Sequence, residues 1–209
     1  MFIGLLEQDQ LKAELKVYRV LKMGLPSTTD ECDAWITSGS PSSVFDEDEW
    51  IGNFQEYIKS LHNDKRKTIG ICFGHQMIAQ ALGGEVRRSD RGWGIGVKEI
   101  DIITEEPWMN PPLKKMRMLF THQDQVEKLP PDARLLGSAA HCMHAVFAVG
   151  NHMLALQSHP EYSREYLRAL IQSREAIIDK PTFQAGLESL EREPHRTEPA
   201  AWLRNFLTS

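Results

Sequence analysis

A chain of 209 residues, 41% hydrophobic and 25% charged, can bury a core, which excludes a disordered chain and fits one domain. A net charge of −5 without any long basic block argues against nucleic acid as a partner. Three scattered cysteines, Cys32, Cys72 and Cys142, offer no disulfide framework, and no apolar run reaches membrane-spanning length, so a reducing, cytoplasmic setting is expected.

Short apolar strands alternate with amphipathic helices, the pattern of a three-layer α/β domain. Residues 1–6 read as an opening strand and Val17–Leu21 as a second. Ala34–Thr37 makes a third and runs into the polar loop Ser38-Gly39-Ser40-Pro41-Ser42-Ser43. The spacing of Ile51, Phe54, Tyr57, Ile58 and Leu61 predicts a helix over Trp50–Leu61, and Asp46–Glu49 suits its solvated N-terminus. Thr68–Ile71 is the next strand, then a helix closes at Gly83-Gly84. Beyond it, Gly94–Ile103, Met116–Thr121, Ala133–Ser138, Ala145–Val149 and Met153–Gln157 suit short strands. Arg164–Ile178 reads as a helix with Tyr166 and Ile177 on its apolar side, and Thr197 as the cap of a last helix. One domain over 1–209 is expected, with a helical C-terminal extension from about 181 to 209.

The most informative stretch is Gly70-Ile71-Cys72-Phe73-Gly74-His75-Gln76, where an apolar strand meets a cysteine and a helix begins at once. The glycines on either side of Cys72 allow a tight bend, and the helix N-terminus favours negative charge on the sulfur. Taken alone, this fits a buried strand-end cysteine as well as a nucleophile.

A second segment changes that balance. Met153–Gln157 runs into Ser158-His159-Pro160-Glu161, again a strand ending in residues that move protons. His159 would take the thiol proton and Glu161 would hold the imidazole, a nucleophile, base and orienter in that order. Negative charge on an attacked carbonyl needs backbone donors, and the amides of Ser40 and Phe73 are the candidates. The segment Thr121-His122-Gln123-Asp124-Gln125-Val126 ends another strand and suits a role on the substrate side or in the structure.

These motifs together resemble the class I (triad) glutamine amidotransferase family. Gly70–Gln76 with His159-Pro160-Glu161 resembles its nucleophile and triad segments. Thr121–Val126 is similar to the Ser-His-x-Asp-x-Val stretch of the branch related to the GMP synthase glutaminase domain, and Ser38-Gly39-Ser40 to the oxyanion loop, where Ser40 replaces a second glycine. Ser158 stands where the family often has an aromatic residue. The resemblance implies a Rossmann-like (flavodoxin-like), mixed and largely parallel sheet flanked by helices. It also implies attack of Cys72 on a γ-glutamyl amide through a γ-glutamyl thioester, with Gly39, Gln76 and the Thr121, His122 and Gln123 amides holding the glutamyl portion.

The amidotransferase pattern takes up essentially all 209 residues, leaving no synthetase domain for ammonia to reach. Three functions follow: a stand-alone hydrolase of glutamine or a γ-glutamyl compound, as in the branch that includes plant γ-glutamyl peptidases; a glutaminase subunit feeding a separate synthetase partner; or a non-catalytic module with this fold. The intact Cys72, His159 and Glu161 argue against the third. No metal or cofactor is expected. In a strand, His141-Cys142-Met143-His144 would split its ligands between two faces, and Arg91–Gly96 lacks the helix that a dinucleotide loop requires. Cys32 and Trp93 read as a bystander and a packing residue.

Overall fold

The structure is a computed structural model in which residues 13–22 and 24–209 are described. The opening strand expected at residues 1–6 lies outside them. Nine strands are present among the described residues: β1 (Ala34–Thr37), β2 (Lys67–Ile71), β3 (Glu85–Arg88), β4 (Gly94–Ile102), β5 (Lys115–His122), β6 (Asp124–Lys128), β7 (Ala133–Ala139), β8 (Val146–Val149) and β9 (Met153–Leu156). Five helices accompany them: α1 (Glu49–Asn63), α2 (Phe73–Ala81), α3 (Arg164–Gln172), α4 (Lys180–Ser189) and α5 (Thr197–Thr208).

Seven strands form one mixed sheet in the order β1-β2-β9-β8-β7-β4-β5, and β3 pairs with β6 in a separate antiparallel ribbon. The parallel pairs among the described residues are β1–β2 and β2–β9, and the remaining neighbours are antiparallel. Fewer strands run parallel than expected because the short turns between β7, β8 and β9 permit only hairpins.

Both faces of the sheet are covered, and β9 shows how. Met153 and Ala155 join the cluster made with α1 and α2, while Leu154 and Leu156 join the one made with α5. Helix α1 buries Ile51, Phe54, Ile58 and Leu61, a stripe at helical spacing. Fully burying such side chains is worth roughly 1.5–3 kcal/mol each. Helices α3 and α4 pack on Ile95, Val97 and Leu119 of β4 and β5. The C-terminal helix is no appendage: Trp202, Leu203 and Phe206 of α5 are core residues.

Several expectations need correction. Val17–Leu21 is not a strand; the chain turns as a 3-10 helix at Val20–Lys22, with Val17 and Leu21 exposed and only Tyr18 and Val20 packed inward. Helix α3 stops at Gln172, six residues early, and residues 173–178 turn back so that Ile177 faces solvent. Tyr166, also placed on the apolar side, is exposed. Thr197 is the first helical residue of α5, not its cap. Gly83 adopts φ +89° as α2 ends, where the Gly84 N–H reaches back to the Ala79 carbonyl at 2.8 Å.

Candidate active site

Strand β2 ends at Ile71 and α2 begins at Phe73, so Cys72 alone makes the turn. It does so with φ 52° and ψ −100°, a left-handed conformation that side chains rarely adopt. Its N–H donates to the Leu156 carbonyl at 2.8 Å, continuing the β2–β9 pairing one step past the strands. Its carbonyl accepts from the Gln76 N–H at 3.1 Å, the first turn of α2. The bend is therefore carried by Cys72 and not by its flanking glycines, neither of which is left-handed. Those glycines supply room instead. A Cβ on Gly70 would sit 2.6 Å from the Gly74 carbonyl oxygen, and one on Gly74 would sit 1.7 Å from Thr37 Oγ1.

The other half of the site comes off β9. The Gln157 N–H donates to the Ala145 carbonyl at 2.9 Å, and the His159 N–H to the Leu119 carbonyl of β5 at 2.8 Å. His159 Nδ1 lies 2.8 Å from Glu161 Oε1 and must be the donor, because a carboxylate only accepts. That leaves Nε2, fully buried, for the sulfur. Tyr162 stacks on the imidazole with centroids 4.0 Å apart and planes 6° from parallel. Gly39 borders both partners, since a Cβ there would lie 3.0 Å from His159 Cε1 and 3.9 Å from Cys72 Sγ. Burial pulls the His159 imidazole towards neutrality, but the charge and hydrogen bonding of Cys72 and Glu161 outweigh it and hold the ring well above its ordinary range. A ring held by a carboxylate at Nδ1 beside a buried thiol can take one proton at Nε2 and return it.

The remaining predicted residues fall around this pair. Phe73 opens α2, so its N–H has no acceptor within the helix. Ser40 keeps a φ outside the left-handed region, so it asks for no conformation reserved to glycine; its Oγ accepts from the Ser42 N–H at 3.2 Å. Gln76 Nε2 donates to the Asp124 carbonyl at 2.7 Å and to Gln157 Oε1 at 3.1 Å. The Asp124 carboxylate accepts from the Ser43 hydroxyl and lies 3.4 Å from Arg88 Nε, tying the loop after β1 to β6. Thr121 Oγ1 accepts from Arg174 Nη1 at 2.6 Å, and the Gln123 carbonyl from the Ser89 N–H at 2.8 Å. His122 is buried with neither ring nitrogen partnered. Burial, then the nearby positive charges, hold it well below its ordinary range, so it is a neutral ring.

Three neighbours of the site were missed. Gln157 places Nε2 3.5 Å from Cys72 Sγ. Its position two residues before His159 was the available signal, because alternate residues along an extended chain face the same way. Tyr162, next to Glu161, is an aromatic within reach of the imidazole. Arg174 lies beyond the end of α3, with its guanidinium 5.2 Å from the Trp93 ring, and nothing in the sequence flags it.

His141–Ala145 is a turn between β7 and β8 and not a strand. There His144 Nδ1 donates to the Val126 carbonyl at 2.9 Å, and the His144 carbonyl accepts from His75 Nε2 at 2.8 Å. Burial pushes the Cys142 thiol up to about 12. Among the described residues no group of three or more His, Cys, Asp or Glu could hold a metal ion, and no helix is long and apolar enough to cross a membrane. A cavity of about 590 Å³, lined by Lys67, Trp108, Arg134 and Phe206, opens at the other end of the sheet. Lys67 begins β2 and Cys72 follows its end, so it is roughly 17 Å away and separate.

The sequence model of the glutamine amidotransferase class-I family matches residues 7–175. Gamma-glutamyl peptidase 5 of Arabidopsis thaliana is 30% identical over 201 residues, covering 91% of this chain and 80% of that protein. One chain of a glutamine-hydrolysing GMP synthase from Sulfolobus acidocaldarius is 33% identical over 132 residues, 63% of this chain and 68% of that one. The fold is that of a solved glutamine amidotransferase from Methylobacillus flagellatus, with a TM-score of 0.81 and 21% identity over 99% of this chain and 86% of the other.

Proposed function

The chain belongs to the glutamine amidotransferase class-I family, and on that premise we propose that it is a stand-alone cysteine hydrolase of γ-glutamyl amides. One observation supports the reading most: Glu161 holds His159 Nδ1 at 2.8 Å, and the same Gly39 backbone borders both that imidazole and the Cys72 sulfur.

In this mechanism the Cys72 sulfur attacks the γ-carbonyl carbon while His159 holds the proton. The oxyanion that develops meets the N–H groups of Ser40 and Phe73, and one such donor is worth on the order of 10²–10³ in rate. His159 passes its proton to the departing amine, leaving a γ-glutamyl thioester. Water, deprotonated by His159, then releases glutamate and restores the thiol. Glu161 keeps Nδ1 occupied so that Nε2 does the transfer. Both Gln76 Nε2 hydrogens are already spent on Asp124 and Gln157, so Gln76 offers the substrate only its oxygen, an acceptor for the α-ammonium group. The α-carboxylate would meet the Thr121–Gln123 backbone, with Arg174 beside Thr121 supplying positive charge.

The test is a panel of glutamine and γ-glutamyl peptides assayed with the wild type and with Cys72→Ala. Turnover of γ-glutamyl peptides that vanishes in Cys72→Ala is the expected result. Glutamine turnover appearing only when a synthetase is added would favour the ammonia-supplying role suggested by the GMP synthase relative. Inertness to every substrate, with no alkylation of Cys72, would leave a non-catalytic module.

A further inference from the structure

We propose that Gln157 is a further catalytic residue, donating its side-chain amide N–H to the Cys72 sulfur, with Gln76 fixing which end of that amide faces the thiol. The proposal rests on Cys72 being the nucleophile.

The orientation follows from one group that cannot donate. The Asp124 main-chain carbonyl is an acceptor only, so the Gln76 end that lies 2.7 Å from it is the nitrogen. That nitrogen has a second hydrogen, which goes to the Gln157 end 3.1 Å away, so that end is the oxygen. The remaining end of Gln157 is then the NH₂, and it lies 3.5 Å from Cys72 Sγ. Gln157 is completely buried, so no solvent competes for the sulfur from this side.

The chemistry needs such a donor twice. A buried sulfur carrying negative charge is costly unless donors surround it, and a hydrogen bond to a charged group is stronger than one between neutral groups. His159 supplies one donor before attack. Once His159 has passed its proton to the leaving amine, it serves as the base for water. When the thioester then breaks, the sulfur leaves as an anion between two donors, the His159 ring that has just taken a proton from water and the Gln157 amide still aimed at it. The ionisable neighbours other than His159 do not replace this donor. Glu161 is an acceptor committed to His159 Nδ1, and burial keeps His75, one turn along α2 from Cys72, neutral with its Nε2 turned to the His144 carbonyl.

The experiment measures the rate of Cys72 alkylation by iodoacetamide against pH, following the Cys72 peptide by mass so that Cys32 and Cys142 do not contribute. Wild type is compared with Gln157→Met, which keeps the length and removes the donor, and with Gln76→Met, which lets the Gln157 amide turn. The expected result is a profile displaced to higher pH, with about 10-fold slower alkylation at neutral pH for Gln157→Met and a smaller displacement for Gln76→Met. An unchanged profile in a Gln157→Met protein that melts like wild type overturns the proposal. Should Gln157→Met fail to fold, an unchanged profile in Gln76→Met overturns it equally. Alkylation needs no substrate, so the γ-glutamyl assignment does not enter. A wild-type Cys72 that resists alkylation at every pH would instead remove the nucleophile itself.

Discussion

Gly39→Ala isolates the geometry of the dyad. The added Cβ would sit 3.0 Å from His159 Cε1, 3.6 Å from Cys72 Cβ and 3.9 Å from Sγ. Carbon atoms in contact prefer roughly 3.5–4.0 Å, so the imidazole must retreat by about 0.5 Å. It has little freedom to do so, being bonded through Nδ1 to Glu161 at 2.8 Å and stacked on Tyr162. A misplacement of about 1 Å at a catalytic centre costs on the order of 10²-fold, so half of that predicts roughly a 10-fold fall in kcat. Gly39 does not occupy the left-handed region, so alanine adds no backbone strain and the melting temperature should stay within about 4 °C of wild type. The assay is release of p-nitroaniline from γ-glutamyl-p-nitroanilide, run beside a thermal melt. Wild-type turnover in Gly39→Ala would refute the placement of this loop against the dyad. So would a loss of activity that merely tracks a loss of stability.

Gly74→Ala drives a Cβ into Thr37, 1.7 Å from Oγ1 and 2.9 Å from the carbonyl oxygen, and should cost about 1–3 kcal/mol in denaturant unfolding. Gly52→Ala, with open space around its Cβ, should be neutral or stabilising, and equal stability of the two variants would contradict this packing. Cys72→Gly and Cys72→Ala should both be inactive, but the glycine variant should be the more stable by about 1 kcal/mol, because only it relieves the left-handed φ of 52°. The reverse order in a chemical denaturation series would remove the strain from the elbow. His152, whose Nε2 lies 3.1 Å from His62 Nδ1, is held down to about 4 by burial and then by the charges of His62, Lys65 and Lys67. Between pH 4 and 6.5 the unfolded chain binds a proton that the folded one refuses, so stability should fall as pH drops through that window, by about 1–2 kcal/mol after allowance for screening. His152→Phe should flatten the slope, and an unaltered slope would assign it to other groups.

What the sequence disclosed depended on whether the cause was local. Strand β1 has the limits that Ala34–Thr37 suggested, and the Ile51, Phe54, Ile58 and Leu61 stripe is buried in α1 as its period requires. The placing of Cys72 between a strand and a helix was legible because an apolar run and a helical run meet there without an intervening loop. The β3–β6 ribbon was missed because Glu85–Arg88 buries only Val86, too little alternation to mark a strand. Strand direction leaves no trace in periodicity, so the antiparallel part of the sheet could not be foreseen. The bend at Cys72 is credited to Gly70 and Gly74 from sequence because glycines commonly take bends, whereas here close approach of Thr37 and of the two glycines to one another excludes side chains. Gln157 became visible only when its contact with Gln76, 81 residues away along the chain, was known.

In the proposed mechanism Cys72 carries the γ-glutamyl group between two half-reactions. Acid quenching of the enzyme during steady turnover of a γ-glutamyl peptide, followed by mass analysis of the Cys72 peptide, tests it directly. One γ-glutamyl unit is expected on that peptide, released by hydroxylamine and absent from Cys72→Ala. Full turnover with an unmodified Cys72 peptide, and the same rate in Cys72→Ala, would contradict it.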